Sequence, residues 1–246
     1  MDTAYFWRSI LKLFIYGFNI NREILQYKDR RIIMNIILKN GTGEIEEKKS
    51  RFIAHIFSVE NEDEAEQYIN AVRKKYWDAR HNCYAYIIGD NGQVQRFSDD
   101  GEPQGTAGKP ILDIISTSGL TNCLIVVTRY FGGVLLGTGG LIRAYQAASK
   151  AGLEIAETAV VSSGITAVIV TDYNVYGKLQ YICNDIGVDI MDTDFGADVT
   201  IKLAAAEEKA GILEKRIIDA FSGNVVMEDK KNVKFCKKSS GEIIIL

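Results

Sequence analysis

The first clear pattern of apolar and polar positions begins near Lys49, where the segment RFIAHIFSV alternates with a period of two. This alternation predicts a β-strand, because successive side chains of a strand point to opposite faces. Directly after it, Asn61 and Glu64 have the spacing of a helix N-cap and its capping-box partner. Apolar residues between Ala65 and Tyr76 recur at helical spacing. We therefore predict a strand followed by a helix of about four turns.

A β-hairpin and a long loop are predicted next. The runs CYAYIIG and VQRF flank Asp90-Asn91-Gly92, whose residues tolerate positive φ angles and so favour a tight turn. The following segment, FSDDGEPQGTAGKP, holds three glycines and both prolines of the chain. A loop of this length in a compact domain is usually functional or disordered. Residues 97–110 are therefore a candidate functional segment.

A strand, a glycine-rich turn and a helix complete the first half of the chain. The run ILDIIST after Pro110 predicts a short helix, and Cys123 to Tyr130 is apolar enough for a fully buried strand. Glycines then crowd the segment FGGVLLGTGG, before helical spacing resumes at Leu141. This order places the glycines at the start of a helix.

A second series of elements begins near residue 158. Its order is strand, helix, strand, strand, helix, strand, which is the ferredoxin-like plan. No Pro- or Ser-rich linker separates the two halves. We predict an α+β protein with domains at 35–158 and 159–246. The predicted elements of the second domain are Ile165–Thr171, Val175–Asn184, Val188–Met191, Val199–Ala205, Glu207–Phe221 and Val225–Glu228.

The first 34 residues contain an apolar segment that does not belong to either predicted domain. The segment from Tyr5 to Ile20 is strongly apolar, yet Arg8 and Lys12 interrupt it, and it is too short to span a bilayer. We interpret residues 1–34 as an extension upstream of a functional start at Met34. An amphipathic helix on a membrane surface is the alternative. Neither interpretation predicts integral membrane association.

Composition narrows the range of functions. The net charge is −3, so contact with nucleic acid requires a local basic patch. The four cysteines lie far apart and the chain has only two histidines, which argues against a zinc site or a disulfide framework. Free thiols fit the reducing cytoplasm. We predict a cytoplasmic protein without a metal or cofactor.

The glycine-rich turn is the strongest candidate for an anion site. Helix N-termini offer free N–H groups and positive potential, and arginine makes bidentate contacts with phosphate. Lys109, Arg129 and Arg143 could complete such a site. Equally, the two arginines could form ion pairs with the acidic residues of the long loop and hold it in place. Spacing alone does not choose between these interpretations.

Other candidates carry weaker signals. Asp99 and Asp100 could be metal ligands or an acid/base pair, but Asp-Asp-Gly is also turn chemistry. His81 and Cys83 would share a strand face, without any oxyanion hole nearby in sequence. A lysine run interleaved with one aromatic residue could contact RNA, or it could be a solvated edge or tail. It comprises Lys230, Lys231, Lys234, Lys237 and Lys238.

The segments HNCYAYIIG, RFSDDGEPQGTAGKPIL and VVTRYFGGVLLGTGGLIRAY resemble the YigZ/IMPACT family. The resemblance is dense from about Lys39 to Ala156 and weaker beyond. It implies a first domain with the left-handed βαβ fold of elongation factor G domain IV, and a ferredoxin-like second domain similar to its domain V. Eukaryotic members regulate translation during amino-acid starvation. The site residues that we predict on this basis are Arg80, His81, Arg96, Asp99, Asp100, Lys109, Arg129, Gly132, Gly133, Gly139, Gly140 and Arg143.

Two functions from different classes follow as expectations. The first is a non-enzymatic RNA- or ribosome-associated regulator of translation, with a further protein partner possible through the C-terminal domain. The second is an enzyme or sensor that binds a phosphorylated small molecule at the glycine-rich loop.

Overall fold

The computed structural model describes residues 34–238 and 240–246, a mixed α/β architecture with eleven strands and five helices in these ranges. The two interpretations of the N-terminal extension concern residues outside this description. The strands are β1 (Met34–Lys39), β2 (Gly41–Glu47), β3 (Ser50–Ser58), β4 (His81–Ile88), β5 (Val94–Ser98), β6 (Cys123–Tyr130), β7 (Glu157–Thr171), β8 (Asp189–Phe195), β9 (Val199–Ala206), β10 (Glu228–Lys237) and β11 (Ile243–Ile245). The helices are α1 (Glu62–Lys75), α2 (Gly108–Thr117), α3 (Gly137–Ile155), α4 (Tyr173–Ile186) and α5 (Glu207–Phe221).

The first sheet has the antiparallel order β2-β3-β6-β4-β5. Helix α1 covers one face, where Ile69 and Val72 pack with Leu124 of β6. Helices α2 and α3 cover the other face, where Ile111 and Tyr145 join the larger core cluster. Both faces are therefore buried, which explains why β6 is an uninterrupted apolar run. The predicted hairpin of β4 and β5 is present.

Helix α1 begins as its sequence predicts. The Asn61 Oδ1 atom accepts a hydrogen bond from the Glu64 N–H at 2.9 Å. The returning bond differs from the expected capping box, because the Glu64 carboxylate accepts from the N–H of Glu60 at 2.8 Å. The first bond satisfies a donor that the first turn of a helix leaves free, and the second fixes the residue before the N-cap.

Glycines allow α3 to pack directly on β2. A Cβ atom added to Gly43 would lie 2.4 Å from the backbone nitrogen of Gly152, and one added to Gly41 would lie 2.6 Å from the nitrogen of Ala156. Real side chains do not tolerate such distances. The helix and the strand therefore meet backbone to backbone along one side of the core.

The second sheet has the order β11-β10-β7-β9-β8, and β1 also pairs with β7. Helices α4 and α5 bury Leu179 and Leu213 against Ile169 and Leu203 of this sheet. Strand β7 starts eight residues before the predicted Ile165, since its first part pairs with β1.

The last predicted strand, Val225–Glu228, is wrong. Val225 and Met227 are buried in the second core as part of a loop, and the strand begins at Glu228. The lysine-rich run therefore belongs to β10, where β7 lies alongside and supplies backbone partners. The polar side chains of this run do not alternate with apolar ones, so the sequence did not indicate a strand here.

Strand β1 connects the two sheets. Its backbone pairs with residues 157–161 of β7, while Ile37 is buried in the first core cluster. The Asn35 side chain also donates to the carbonyl oxygen of Ser118 at 2.7 Å. A second connection is the ion pair between Lys234 of β10 and Asp90 of the β4–β5 turn. The sequence analysis did not predict β1.

Candidate functional site

Most of the predicted site residues lie at one end of the first sheet, where β6 ends and β3 and β4 begin. Arg129 of β6 is in register with Phe52 of β3 on one side and with His81 of β4 on the other. The predicted long loop is shorter than expected, because β5 extends to Ser98 and α2 begins at Gly108. Residues 99–107, the acidic loop, pack beside this end of the sheet.

Asp99 holds the acidic loop closed. Its carboxylate accepts hydrogen bonds from the backbone N–H groups of Gly105 at 2.8 Å, Ala107 at 3.0 Å and Gly108 at 2.8 Å. These donors include the first N–H groups of α2, whose N-cap residue, Ala107, has no side-chain acceptor. Asp99 therefore acts as the helix cap from eight residues away.

Asp100 points elsewhere and holds the loop to β4. Its backbone has a positive φ of 44°, in the left-handed region. The carboxylate accepts from the N–H of Asn82 at 2.7 Å and from Arg73 at 3.0 Å. The turn itself is closed by the backbone, since the Glu102 N–H donates to the Asp99 carbonyl oxygen at 2.9 Å, while both carboxylates contact residues outside the turn.

Arg129 forms a buried ion pair with the acidic loop. Its Nη1 atom lies 2.6 Å from the Glu102 Oε1 atom, and the two side chains are only 7% and 3% exposed. The Tyr145 hydroxyl donates to the same oxygen at 2.8 Å. Of the two interpretations left open above, loop attachment describes Arg129.

His81 and Cys83 also contact the acidic loop, through its backbone carbonyl oxygens. The Cys83 thiol donates to the carbonyl oxygen of Asp99 at 2.9 Å, and burial raises the pKa of this thiol far above its usual range. The His81 Nδ1 atom lies 2.9 Å from the carbonyl oxygen of Asp100. A thiol held in its protonated form is a poor nucleophile.

The glycine-rich segment is shaped by backbone requirements. A Cβ atom at Gly132 would lie 1.9 Å from the carbonyl carbon of Lys49, so only glycine fits against the β2–β3 turn. Gly133 and Gly137 have φ angles of 84° and 70°, which glycine adopts without strain. Gly139 and Gly140 lie in the first turn of α3, which has no side-chain cap.

Four basic side chains at this end of the sheet are exposed and lack an ion-pair or hydrogen-bond partner within the described part of the chain. Lys48 and Lys49 form the β2–β3 turn, Arg80 precedes β4, and Arg143 lies on α3. The Arg143 guanidinium folds back onto the first turn of its helix, 3.5 Å from where a Gly139 Cβ would be. We call Lys48, Lys49, Arg80 and Arg143 the basic end.

Several other cations are already paired. Lys109 lies 2.7 Å from Asp113, and Arg96 lies 3.7 Å from Glu62, so neither joins the basic end. The same holds for the whole lysine run of β10 and the turn after it. Its ion pairs are Lys230 with Glu214, Lys231 with Asp229, Lys234 with Asp90, Lys237 with Asp189, and Lys238 with Glu242.

Sequence reasoning missed two exposed aromatic residues beside the basic end. Trp77 is 82% exposed and Phe131 is 52% exposed. The position of Trp77 in the sequence could have revealed its exposure. Trp77 directly follows Tyr76 and therefore does not lie on the apolar face of α1. An aromatic residue off that face is not needed by the core.

Two features are absent from the described residues. Within residues 34–238 and 240–246, no three His, Cys, Asp or Glu side chains come together as a group that could hold a metal ion. No helix in the same ranges is both long enough and apolar enough to cross a membrane.

Comparison with known proteins identifies the family. The Impact N-terminal domain matches residues 48–153, and a domain of unknown function matches residues 169–224. The IMPACT family member YvyE of Bacillus subtilis is 36% identical over 185 residues, covering 74% of this chain and 84% of the relative. YigZ of Escherichia coli, also an IMPACT family member, is 34% identical over 180 residues, covering 72% and 88%.

A solved structure is also similar to this chain. The crystal structure of a hypothetical protein aligns with a TM-score of 0.50 at 32% identity, covering 78% of this chain and 95% of that one. The resemblance seen in the sequence is thus confirmed, and the chain belongs to the IMPACT family.

Proposed function

We propose that this protein is a cytoplasmic, non-enzymatic regulator of translation that binds RNA or the ribosome through the basic end. The observation that carries the proposal is the clustering of Lys48, Lys49, Arg80 and Arg143 without ion-pair partners in the described residues. Elsewhere, five consecutive basic positions of the lysine run are each neutralised by an acid. Free cations gathered at one end of a sheet favour a polyanionic partner there.

A local patch is what this chain requires, because its net charge is −3. Phosphate contacts release counterions, so the binding constant falls with salt by a logarithmic slope of about 0.7 per contact for single strands. Four contacts would produce a slope of about −3. The buried Arg129 contributes to the shape of the site and not to this slope.

We also propose that both domains have folds found in elongation factor G. The strand order β10-β7-β9-β8 with α4 and α5 on one face supports a ferredoxin-like second domain, as in domain V of elongation factor G. The family resemblance supports a first domain with the left-handed βαβ fold of domain IV. We set the domains at 35–158 and 159–246. Strand β1 lies in the sequence of the first domain, but its backbone pairs with β7 in the sheet of the second domain.

Co-sedimentation with ribosomes across a salt series tests the proposal. The variant Arg80→Ala, Arg143→Ala should weaken association and reduce the salt slope by about 1.4. The matched control is Lys150→Ala, Lys215→Ala, which removes the same charge from exposed positions outside the basic end. Absence of association by the wild type at low salt, or equal loss in both variants, would refute the proposed site.

One observation favours a second candidate, the binding of a phosphorylated small molecule at α3. The helix starts without a side-chain cap, and the Arg143 guanidinium folds over its first turn. Its N–H groups could therefore receive a phosphate. Thermal unfolding with nucleotides and sugar phosphates tests this, since a ligand at a hundred times its Kd stabilises by about 2.7 kcal/mol. No rise in Tm with any of them would remove this candidate.

A further inference from the structure

Two aromatic rings stand beside the basic end without a structural need for their exposure. Trp77 is 82% exposed, and it has no ring contact or hydrogen bond among the described residues. Phe131 is 52% exposed. Leaving large aromatic surface in water is unfavourable, and exposed aromatic residues with neighbouring charges are typical of binding surfaces. A ligand of suitable chemistry is therefore expected there.

Both rings lie near the same end of the first sheet: Trp77 follows α1, which covers one face, and Phe131 contacts Arg129, whose partners lie on the other face. Asp78, next to Trp77, accepts a hydrogen bond from the Tyr130 hydroxyl at 2.7 Å, and Tyr130 is next to Phe131. This bond joins the end of α1 to the end of β6. Arg80 lies two residues after Asp78, so a free cation follows Trp77 closely in the chain.

Phe131 has a rigid support. The Arg129 guanidinium lies 5.6 Å from its ring centroid and 5.4 Å from that of Phe52. Because Arg129 is fixed by Glu102, its cation–π contact holds Phe131 in a defined position. A pre-positioned, half-exposed ring is suited to stacking with a planar group.

We infer that Trp77 and Phe131 are stacking platforms for unpaired bases, and that the basic end contacts the phosphates of the same single-stranded RNA. This inference rests on the proposed function and specifies its ligand. Stacking on aromatic side chains requires bases whose faces are free, which a duplex does not offer. Sites for single strands combine cations along the backbone with aromatic rings for the bases.

The second domain also exposes aromatic rings: Tyr181 of α4 is 66% exposed and Tyr173 is 54% exposed. The large apolar residues exposed on β7 are Val160 and Val170, and neither can stack with a base as a ring does. Phe195 on β8 is 55% exposed, but it already contacts the rings of Tyr173 and Tyr176. Phe195 is therefore a suitable matched control for Phe131.

Tryptophan fluorescence provides a direct test, because the chain contains only Trp7 and Trp77. In a Trp7→Phe background, a ten-nucleotide oligouridylate should quench Trp77 fluorescence. Inorganic polyphosphate should compete for binding without quenching, since it has charge but no bases. An RNA duplex of the same length should bind at least tenfold more weakly than the single strand.

Affinities of labelled oligouridylate, measured by anisotropy, separate stacking from charge. Trp77→Ala and Phe131→Ala should each weaken binding by roughly fivefold to a hundredfold with an unchanged salt slope. Phe131→Leu keeps apolar bulk over Arg129 and should weaken binding similarly. Phe195→Ala should change the affinity by less than about twofold. Circular dichroism confirms that each variant is folded.

The outcomes distinguish this inference from the proposed function. Wild-type affinity in Trp77→Ala and Phe131→Ala, with a loss in Arg80→Ala, Arg143→Ala, would refute stacking and leave the RNA proposal standing. Equal or tighter binding of the duplex than of the single strand would also refute stacking and leave the RNA proposal standing. No binding of any RNA or ribosome by the wild type would overturn both.

Discussion

The buried pair of Arg129 and Glu102 allows a prediction that separates a structural role of this arginine from an anion-binding role. The variant Glu102→Gln removes the negative charge and nearly keeps the volume. Arg129 would then have only neutral polar partners, the introduced amide oxygen and Ser50 Oγ at 3.5 Å, and its Nε atom has none. Breaking a buried pair from one side leaves an uncompensated charge.

The expected magnitude follows from burial. With side chains 7% and 3% exposed, solvent cannot replace the lost carboxylate. We expect Glu102→Gln to reduce the free energy of unfolding by about 3 kcal/mol. The double variant Glu102→Gln, Arg129→Met removes both charges and should be less destabilised than Glu102→Gln alone, since apolar replacement of a whole buried pair is often nearly neutral.

Urea unfolding of the four proteins of this cycle, followed by far-UV circular dichroism, measures the coupling. The expected coupling energy is about 2 kcal/mol or more. A stability for Glu102→Gln within about 0.5 kcal/mol of the wild type would refute the structural role. If the same variant instead bound RNA or phosphate more tightly, Arg129 would be an anion ligand released from its partner.

Three further predictions concern the first domain. His55 is buried with no partner for its Nε2 atom, and burial lowers the pKa of its ring to about 4. Because the folded state disfavours the charged ring, its stability should be full above pH 6.5 and fall as pH decreases toward 4, by at most about 3 kcal/mol; His55→Gln should flatten this slope in urea unfolding at several pH values. Gly43→Ala should destabilise by about 2 kcal/mol or more in thermal unfolding, since the added Cβ meets the backbone of α3, whereas Gly211→Ala, in open space on α5, should be neutral or stabilising. Asp99→Ala should cost about 2 kcal/mol and speed hydrogen exchange at the amide of Ala107; unchanged exchange there would contradict its capping role.

Local patterns predicted many elements of the fold correctly. The cap at Asn61, the turn at Asp90-Asn91-Gly92 and the buried run from Cys123 depend on neighbours within a few residues, and each is present. Strand β1 was missed, because its partner residues 157–161 lie more than a hundred residues away. Strand pairing over such a separation leaves no local pattern.

The candidate site was predicted only in part, because the sequence shows residue types but not which residues meet in space. Glycine content marked the segment where Gly132 must fit against Lys49. Polar residue types also marked Arg129, Arg143 and Lys109, but they could not reveal which of them were already paired. Trp77 was overlooked because its exposure depends on where α1 ends and packs.

The amino-acid sequence by itself determined the mixed α/β architecture, the family, the order of most elements and the position of the glycine-rich turn, since these depend on periodicity and short motifs. The tertiary structure decided which charges are free. Arg129 is neutralised by Glu102 and Lys109 by Asp113, while Arg80 and Arg143 have no such partner in the described residues. Charge pairing is a property of distance in space, and chain spacing does not encode it.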